Sequence, residues 1–125
     1  METIIKLFVF LFVFFLYSTT QAKPTIGYSV EVQILDKITA RISTLDILVG
    51  SNLKYASLNI TIHHCQKRPP EEIPEDFVLI EIKDEISPNN YLSVFNGWML
   101  SSSSTIVPFE HPTYDVWVTD CKIYK

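Results

Sequence analysis

Two hydrophobic patterns divide this chain. At its start the apolar positions are continuous: Leu7 to Tyr17 contains no charge, glycine or proline. From Ser29 onward apolar and polar positions mostly alternate. Val30, Val32 and Ile34 interleave with Glu31, Gln33 and Leu35, and Ile42 and Thr44 with Arg41 and Ser43. Leu58, Ile60 and Ile62 alternate with Asn59, Thr61 and His63, and Val78, Ile80 and Ile82 share one face of a further segment. A period of two marks a half-buried β-strand. Leu92–Leu100 and Asp115–Tyr124 complete the set. Asp36-Lys37, Gly50-Ser51-Asn52 and Pro88-Asn89-Asn90 are the turn signals between them. The pattern predicts an all-β fold, a small antiparallel β-sandwich or barrel of about six to eight short strands, preceded by a signal-peptide helix.

The opening run has a different meaning. Lys6 precedes it, polar Ser18-Thr19-Thr20-Gln21-Ala22 follows it, and small or short residues at Thr20 and Ala22 suit a cut after Ala22. That is the layout of a secretory signal peptide. The run is shorter than the roughly 20 residues that span a bilayer. Residues 1–22 are therefore expected to be a signal peptide and 23–125 a single β-domain, periplasmic or secreted, with no stable membrane span after cleavage. Cutting there removes one acid, Glu2, and one base, Lys6, so the net charge of −4 is unchanged. An acidic surface lacks the clustered Lys and Arg that phosphate backbones require, so nucleic acid is excluded as a partner.

The chain has two cysteines, Cys65 and Cys121. An even count in an exported chain predicts a disulfide between them. Strand parity adds a constraint. Cys65 falls on the Asn59/Thr61/His63 side of its strand, and Cys121 falls with Trp117 and Thr119, opposite Val116 and Val118. The bridge is thus expected to tie the less apolar faces of two strands unless a bulge intervenes. Trp117 shares that face and is expected to be at least partly covered. Residues 67–76, with Pro69, Pro70 and Pro74 and four acids within residues 71–76, read as a stiff, extended, solvated loop.

Candidate chemistry concentrates in the last third. Ser101–Ser104, His111 and Asp115 include the types of a nucleophile, a base and an orienting acid. No Gly-x-Ser-x-Gly turn is present to expose a serine. A small secreted hydrolase using His111 with Asp115 or Glu110 is the alternative reading. His63, His64, His111, Glu110 and Asp115 are the conceivable metal ligands, but neighbouring histidines on a regular strand point to opposite faces and the spacings of structural zinc are missing, so neither metal nor cofactor is expected. A recognition patch of Trp98, His111, Tyr114 and Trp117 is the expected binding feature, because aromatic side chains concentrate at binding hot spots.

The most distinctive residues are the Asp36-Lys37 turn, Cys65 before Lys67-Arg68-Pro69-Pro70, Gly97-Trp98-Met99, and Glu110-His111-Pro112-Thr113-Tyr114-Asp115-Val116-Trp117 ahead of Cys121. Together they resemble an uncharacterised family of short exported alphaproteobacterial proteins, from about Leu35 to the C-terminus. Here Gln66 separates Cys65 from the basic-proline segment, a departure from that pattern. The resemblance implies an envelope-located, disulfide-bearing domain and supplies no activity. The expected function is a non-enzymatic periplasmic or envelope β-domain, a binding or structural module whose partner is an envelope protein.

Overall fold

The computed structural model describes residues 1–19, 21–103, 109 and 111–124. One helix, α1 (Glu2–Phe15), precedes eight strands: β1 (Thr25–Ile26), β2 (Ser29–Asp36), β3 (Arg41–Leu48), β4 (Asn52–Tyr55), β5 (Leu58–Lys67), β6 (Asp76–Ser87), β7 (Asn90–Leu100) and β8 (Tyr114–Lys122). The all-β expectation holds. The strands form two antiparallel sheets. One runs β1-β5-β6-β7, with β4 also paired to β5, and the other runs β3-β2-β8. Their inner faces carry the alternating β-branched residues. Val30, Val32, Ile34 and Val118 meet Ile60, Ile62, Ile80 and Ile82, each at most 1% exposed. These stiff side chains suit a pleated, half-buried surface and leave the core between two layers. No residue of α1 is buried. Among the described residues no helix is long and apolar enough to cross a membrane.

The β6–β7 ladder shifts register twice, between Ile82 and Lys83 and between Glu85 and Ser87, and two further shifts, in β5 and β8, serve the core. In β5, Ile62 pairs Ile80 while His64 pairs Leu79, so His63 is an extra residue. In β8, Asp120 pairs Glu31 while Val118 pairs Val32, so Thr119 is extra. Each bulge flips the parity beyond it. Cys65 and Cys121 therefore leave the polar faces predicted for them and enter the core, both 0% exposed. They are joined by a disulfide with Cα atoms 5.9 Å apart, across 56 residues of sequence and between the two sheets. The Thr119 hydroxyl donates to the Glu31 carbonyl oxygen at 3.2 Å, filling the gap in the ladder. The β5 bulge also corrects the histidine expectation. His63 reaches Glu81 at 3.1 Å and His64 packs edge-on to Trp98, so both project from the outer face.

The chain approaches the disulfide closely at Gly27. Its amide donates to the Cys65 carbonyl at 3.0 Å. A Cβ placed there would lie 2.2 Å from Cys121 Sγ and 2.5 Å from Cys65 Sγ, so only glycine fits without movement. The β5–β6 connection is the proline loop, closed where the Arg68 amide donates to the Glu75 carbonyl at 3.0 Å.

Candidate functional site

The distinctive sequence motifs gather at the two ends of the sandwich. Asp76 and Asp84 mark those ends on β6, eight residues apart and so separated by about 27 Å.

At the Asp84 end, the β2–β3 turn meets the start of β8. Asp36 Oδ1 accepts the amides of Ile38 and Thr39 at 2.9 and 3.2 Å. The Thr39 and Ile38 amides hold its carboxyl below the ordinary value. This turn presents Lys37, whose amide donates to the Thr113 carbonyl at 2.8 Å. The Lys37 ammonium donates to the His111 carbonyl at 2.9 Å and pairs with Asp115 at 3.0 Å. His111 is buried, 8% exposed. Its Nδ1 accepts from the amides of Thr113 and Tyr114 at 3.1 and 3.2 Å. That assigns the ring hydrogen to Nε2, which donates to Asp84 Oδ2 at 2.8 Å. Phe109 stacks on one side of the ring, and Tyr114 packs on it at 5.4 Å and meets Tyr55 edge-on. Burial pushes the Asp84 carboxyl up, but Ser57 and His111 outweigh it and hold the group below its ordinary value. Asp84 Oδ1 has no hydrogen-bond partner among the described residues, so the bond from His111 to Oδ2 is the one that holds this carboxylate. An open recess of 600 Å³ lies between Lys37, Phe109, His111, Pro112 and Asp115.

At the other end, Glu75 and Asp76 are buried beside the disulfide, 8% and 7% exposed. Glu75 Oε1 accepts from the Ser101 hydroxyl and the Ser102 amide at 3.0 and 3.1 Å, and Oε2 from the Ser102 hydroxyl. Burial raises the Glu75 carboxyl, yet these donors together hold it below its ordinary value. Asp76 differs. It accepts the Cys121 amide at 3.0 Å and faces Lys67 at 3.5 Å, but burial dominates and pushes its carboxyl up. Lys67 also pairs with Asp120 at 2.8 Å.

The hydrolase arrangement is not assembled among the described residues. His111 does contact a carboxylate, but that of Asp84; Asp115 belongs to Lys37. Glu110 and Ser104 lie outside the described residues. Ser101 and Ser102 are bound to Glu75 at the far end. A catalytic histidine needs one ring nitrogen oriented by an acid and the other free to take a proton. Here both are occupied by structural bonds. Among the described residues no group of three or more His, Cys, Asp or Glu side chains is placed to hold a metal ion.

The four residues expected to form one patch are divided. His111 and Tyr114 form the corner just described. Trp98 pairs Leu79 on the outer face of the larger sheet and is 43% exposed. Trp117 pairs Gln33 on the outer face of the other sheet, and its indole N–H donates to Gln33 Oε1 at 3.0 Å. The two tryptophans thus face away from each other. The sequence reading missed Asp84, Glu75 and Asp76. Asp84 sat within a charged Lys83-Asp84-Glu85 run that resembled a strand end, and the two others within the acidic loop.

Residues 30–121 match the family described as an uncharacterized protein conserved in bacteria, domain of unknown function 2155. The chain belongs to this family. A relative, the uncharacterized protein RP359 of Rickettsia prowazekii, is 30% identical over 87 residues, which is 70% of this chain. The match spans 56% of that relative's length. No solved structure matches. The matched span of this family member contains the His63 and Thr119 bulges, both cysteines and both polar ends.

Proposed function

We propose that this chain is an exported, non-enzymatic β-sandwich that acts as a binding or structural module in the bacterial envelope. The occupied ring of His111 carries the non-enzymatic part. The one buried imidazole is spent on joining β6 to the start of β8, and the nearest lysine, Lys37, is spent on Asp115 and the His111 carbonyl. Export is supported by an apolar α1 with no buried residue and by a fully buried disulfide, since disulfides persist in oxidising compartments. The test is thiol trapping with cell fractionation. The cysteines should be blocked to alkylation until reduced, and the exported chain should begin at Lys23 by mass spectrometry. Free thiols and an intact Met1 in the cytoplasmic fraction would remove the export reading. A hydrolase activity abolished by His111→Asn in a folded protein would remove the non-enzymatic one.

A further inference from the structure

A strand at the border of a sheet offers unpaired main-chain groups to other chains, and natural sheets blunt such borders with short strands, bulges, proline or lysine. Most borders are blunted here. β1 and β4 are two and four residues long. The ladders of β7 and β8 shift register. β3 is the exception. It is an outermost strand of the smaller sheet, eight residues long, and it pairs β2 from Arg41 to Leu48 without a shift. It holds no proline and no lysine. The Val49 amide donates to the Tyr28 carbonyl at 2.9 Å, which sets the alternation of the ladder. Main-chain groups of Arg41, Ser43, Leu45 and Ile47 thus point to β2, and those of Ile42, Thr44, Asp46 and Leu48 point away from it. The Leu48 carbonyl accepts the Ser51 amide at 3.0 Å, and no described strand pairs with the others. The same four residues carry their side chains on the outer face, opposite the buried Ile47, with Ile42 60% and Leu48 59% exposed.

We infer that β3 pairs antiparallel with β3 of a second copy of this chain, about a two-fold axis at Leu45. Any extended segment satisfies the main chain; the side chains single out a second copy, because with that axis β3 is its own complement. Ile42 lies opposite Leu48 of the second copy, and Thr44 lies opposite Asp46 of the second copy. The exposed apolar side chains then cover each other. The Thr44 hydroxyl donates to the Asp46 carboxylate, whose Oδ1 is held within its own chain by Lys122 at 2.7 Å and whose other oxygen accepts. Moving the axis by one residue spoils the match. At Thr44 it sets Ile42 against Asp46, and at Asp46 it sets two carboxylates directly opposite each other, which is destabilising. The pairing joins the two smaller sheets, β8-β2-β3 to β3-β2-β8, through a closed contact that uses the same patch on both copies. An eight-residue strand supplies far fewer than the roughly 20–30 residues a side of a standard interface, so the association is reversible and depends on concentration. The inference goes beyond the proposed function and does not rest on export.

The test is sedimentation velocity over a concentration series, on the chain in the form that cells accumulate. Its mass should rise from monomer to dimer and stop there. Thr44→Pro removes a main-chain donor that points away from β2, so the domain should stay folded and monomeric. Ile42→Lys keeps the main chain and loses both contacts between Ile42 and Leu48, which should raise the dimer dissociation constant about tenfold. Near-UV circular dichroism checks the fold of each variant. Crosslinking reads the register. Leu45 faces itself across the axis at a site without hydrogen bonds, where Cα atoms lie about 4.5 Å apart and a disulfide fits. Thr44 lies out of register with itself and beyond disulfide reach. Leu45→Cys should therefore give oxidised dimers and Thr44→Cys should not. A chain that stays monomeric at every concentration overturns the inference. A dimer that Ile42→Lys leaves equally tight also overturns it, even where Thr44→Pro fails to fold. Growth beyond the dimer, or crosslinking through Thr44→Cys in place of Leu45→Cys, overturns the two-fold axis at Leu45.

Discussion

The two ends of the sandwich solve one problem by different means. Each must tie β8 to β6 and β5 across the gap between the sheets. At one end the tie is covalent, Cys65 to Cys121, with Asp76 accepting the Cys121 amide. At the other it is a hydrogen-bonded ring, His111 between Asp84 and two backbone amides, with Lys37 fastening the neighbouring turn. The covalent tie acts largely on the unfolded chain, by shortening the loops available to it. The histidine tie acts only in the folded state, because its links to the rest of the domain, His111 to Asp84 and Lys37 to the His111 carbonyl, join groups 27 and 74 residues apart that meet through tertiary packing. The disulfide end should therefore respond to redox conditions, and the histidine end to pH and to single substitutions.

The largest effect should come from removing the disulfide. Replacing both cysteines by alanine should cost about 4 kcal/mol, from loop-closure entropy over the 56-residue separation. Urea unfolding with and without reductant measures it, and an unchanged midpoint would erase the contrast between the ends. His111→Ala should cost about 2–3 kcal/mol, because it leaves the Thr113 and Tyr114 amides and the Asp84 carboxylate without their partner. Amide exchange should accelerate around Asp36–Thr39 and the start of β8 while β1 and Cys65 stay protected; uniform acceleration would show that the ends are not independent. Gly27→Ala should cost about 1–3 kcal/mol, since the added methyl overlaps both sulfurs and something must move. The same substitution in the reduced protein should cost less, which a thermal melt in reductant would show.

The smallest predicted effect is the response to acid, and its sign differs between the ends. Asp84 sits below its ordinary value of 3.8, so its contribution is complete above that pH and is lost as pH falls through its lowered folded value. Asp76 sits above 3.8, so its contribution is complete below that pH and is lost as pH rises through its raised folded value. Glu75, held low, works against Asp76 at the same end. Acidification should therefore loosen the histidine end first. Asp84→Asn should flatten the acid limb of a stability–pH curve, and Asp76→Asn should steepen it. Equal slopes in both variants would contradict the assignment.

Much of this was legible in the residues. Alternation of Val30, Val32 and Ile34, of Leu58, Ile60 and Ile62, and of Val78, Ile80 and Ile82 marks core faces directly, because a β-strand turns successive side chains to opposite sides. The pairing of the only two cysteines and the Asp36-Lys37 turn were legible too. The candidate site was not. Nothing local links Lys37 to His111 or His111 to Asp84, and a strand-end aspartate looks like any solvated acid until its partner is packed over it.

The sequence by itself determined the apolar N-terminal run, the all-β character, the positions of most turns and the acidic balance. These depend on local chemistry: hydrophobic period, backbone freedom and charge. Only the tertiary structure decided which faces the cysteines and histidines occupy, that Trp98 and Trp117 point apart, and that His111 is a structural link. The physical reason lies in His63 and Thr119. One unpaired residue in a strand reverses every side chain beyond it, and whether that residue is accommodated depends on the partner strand, here on Glu81 and Glu31, which no local pattern reveals.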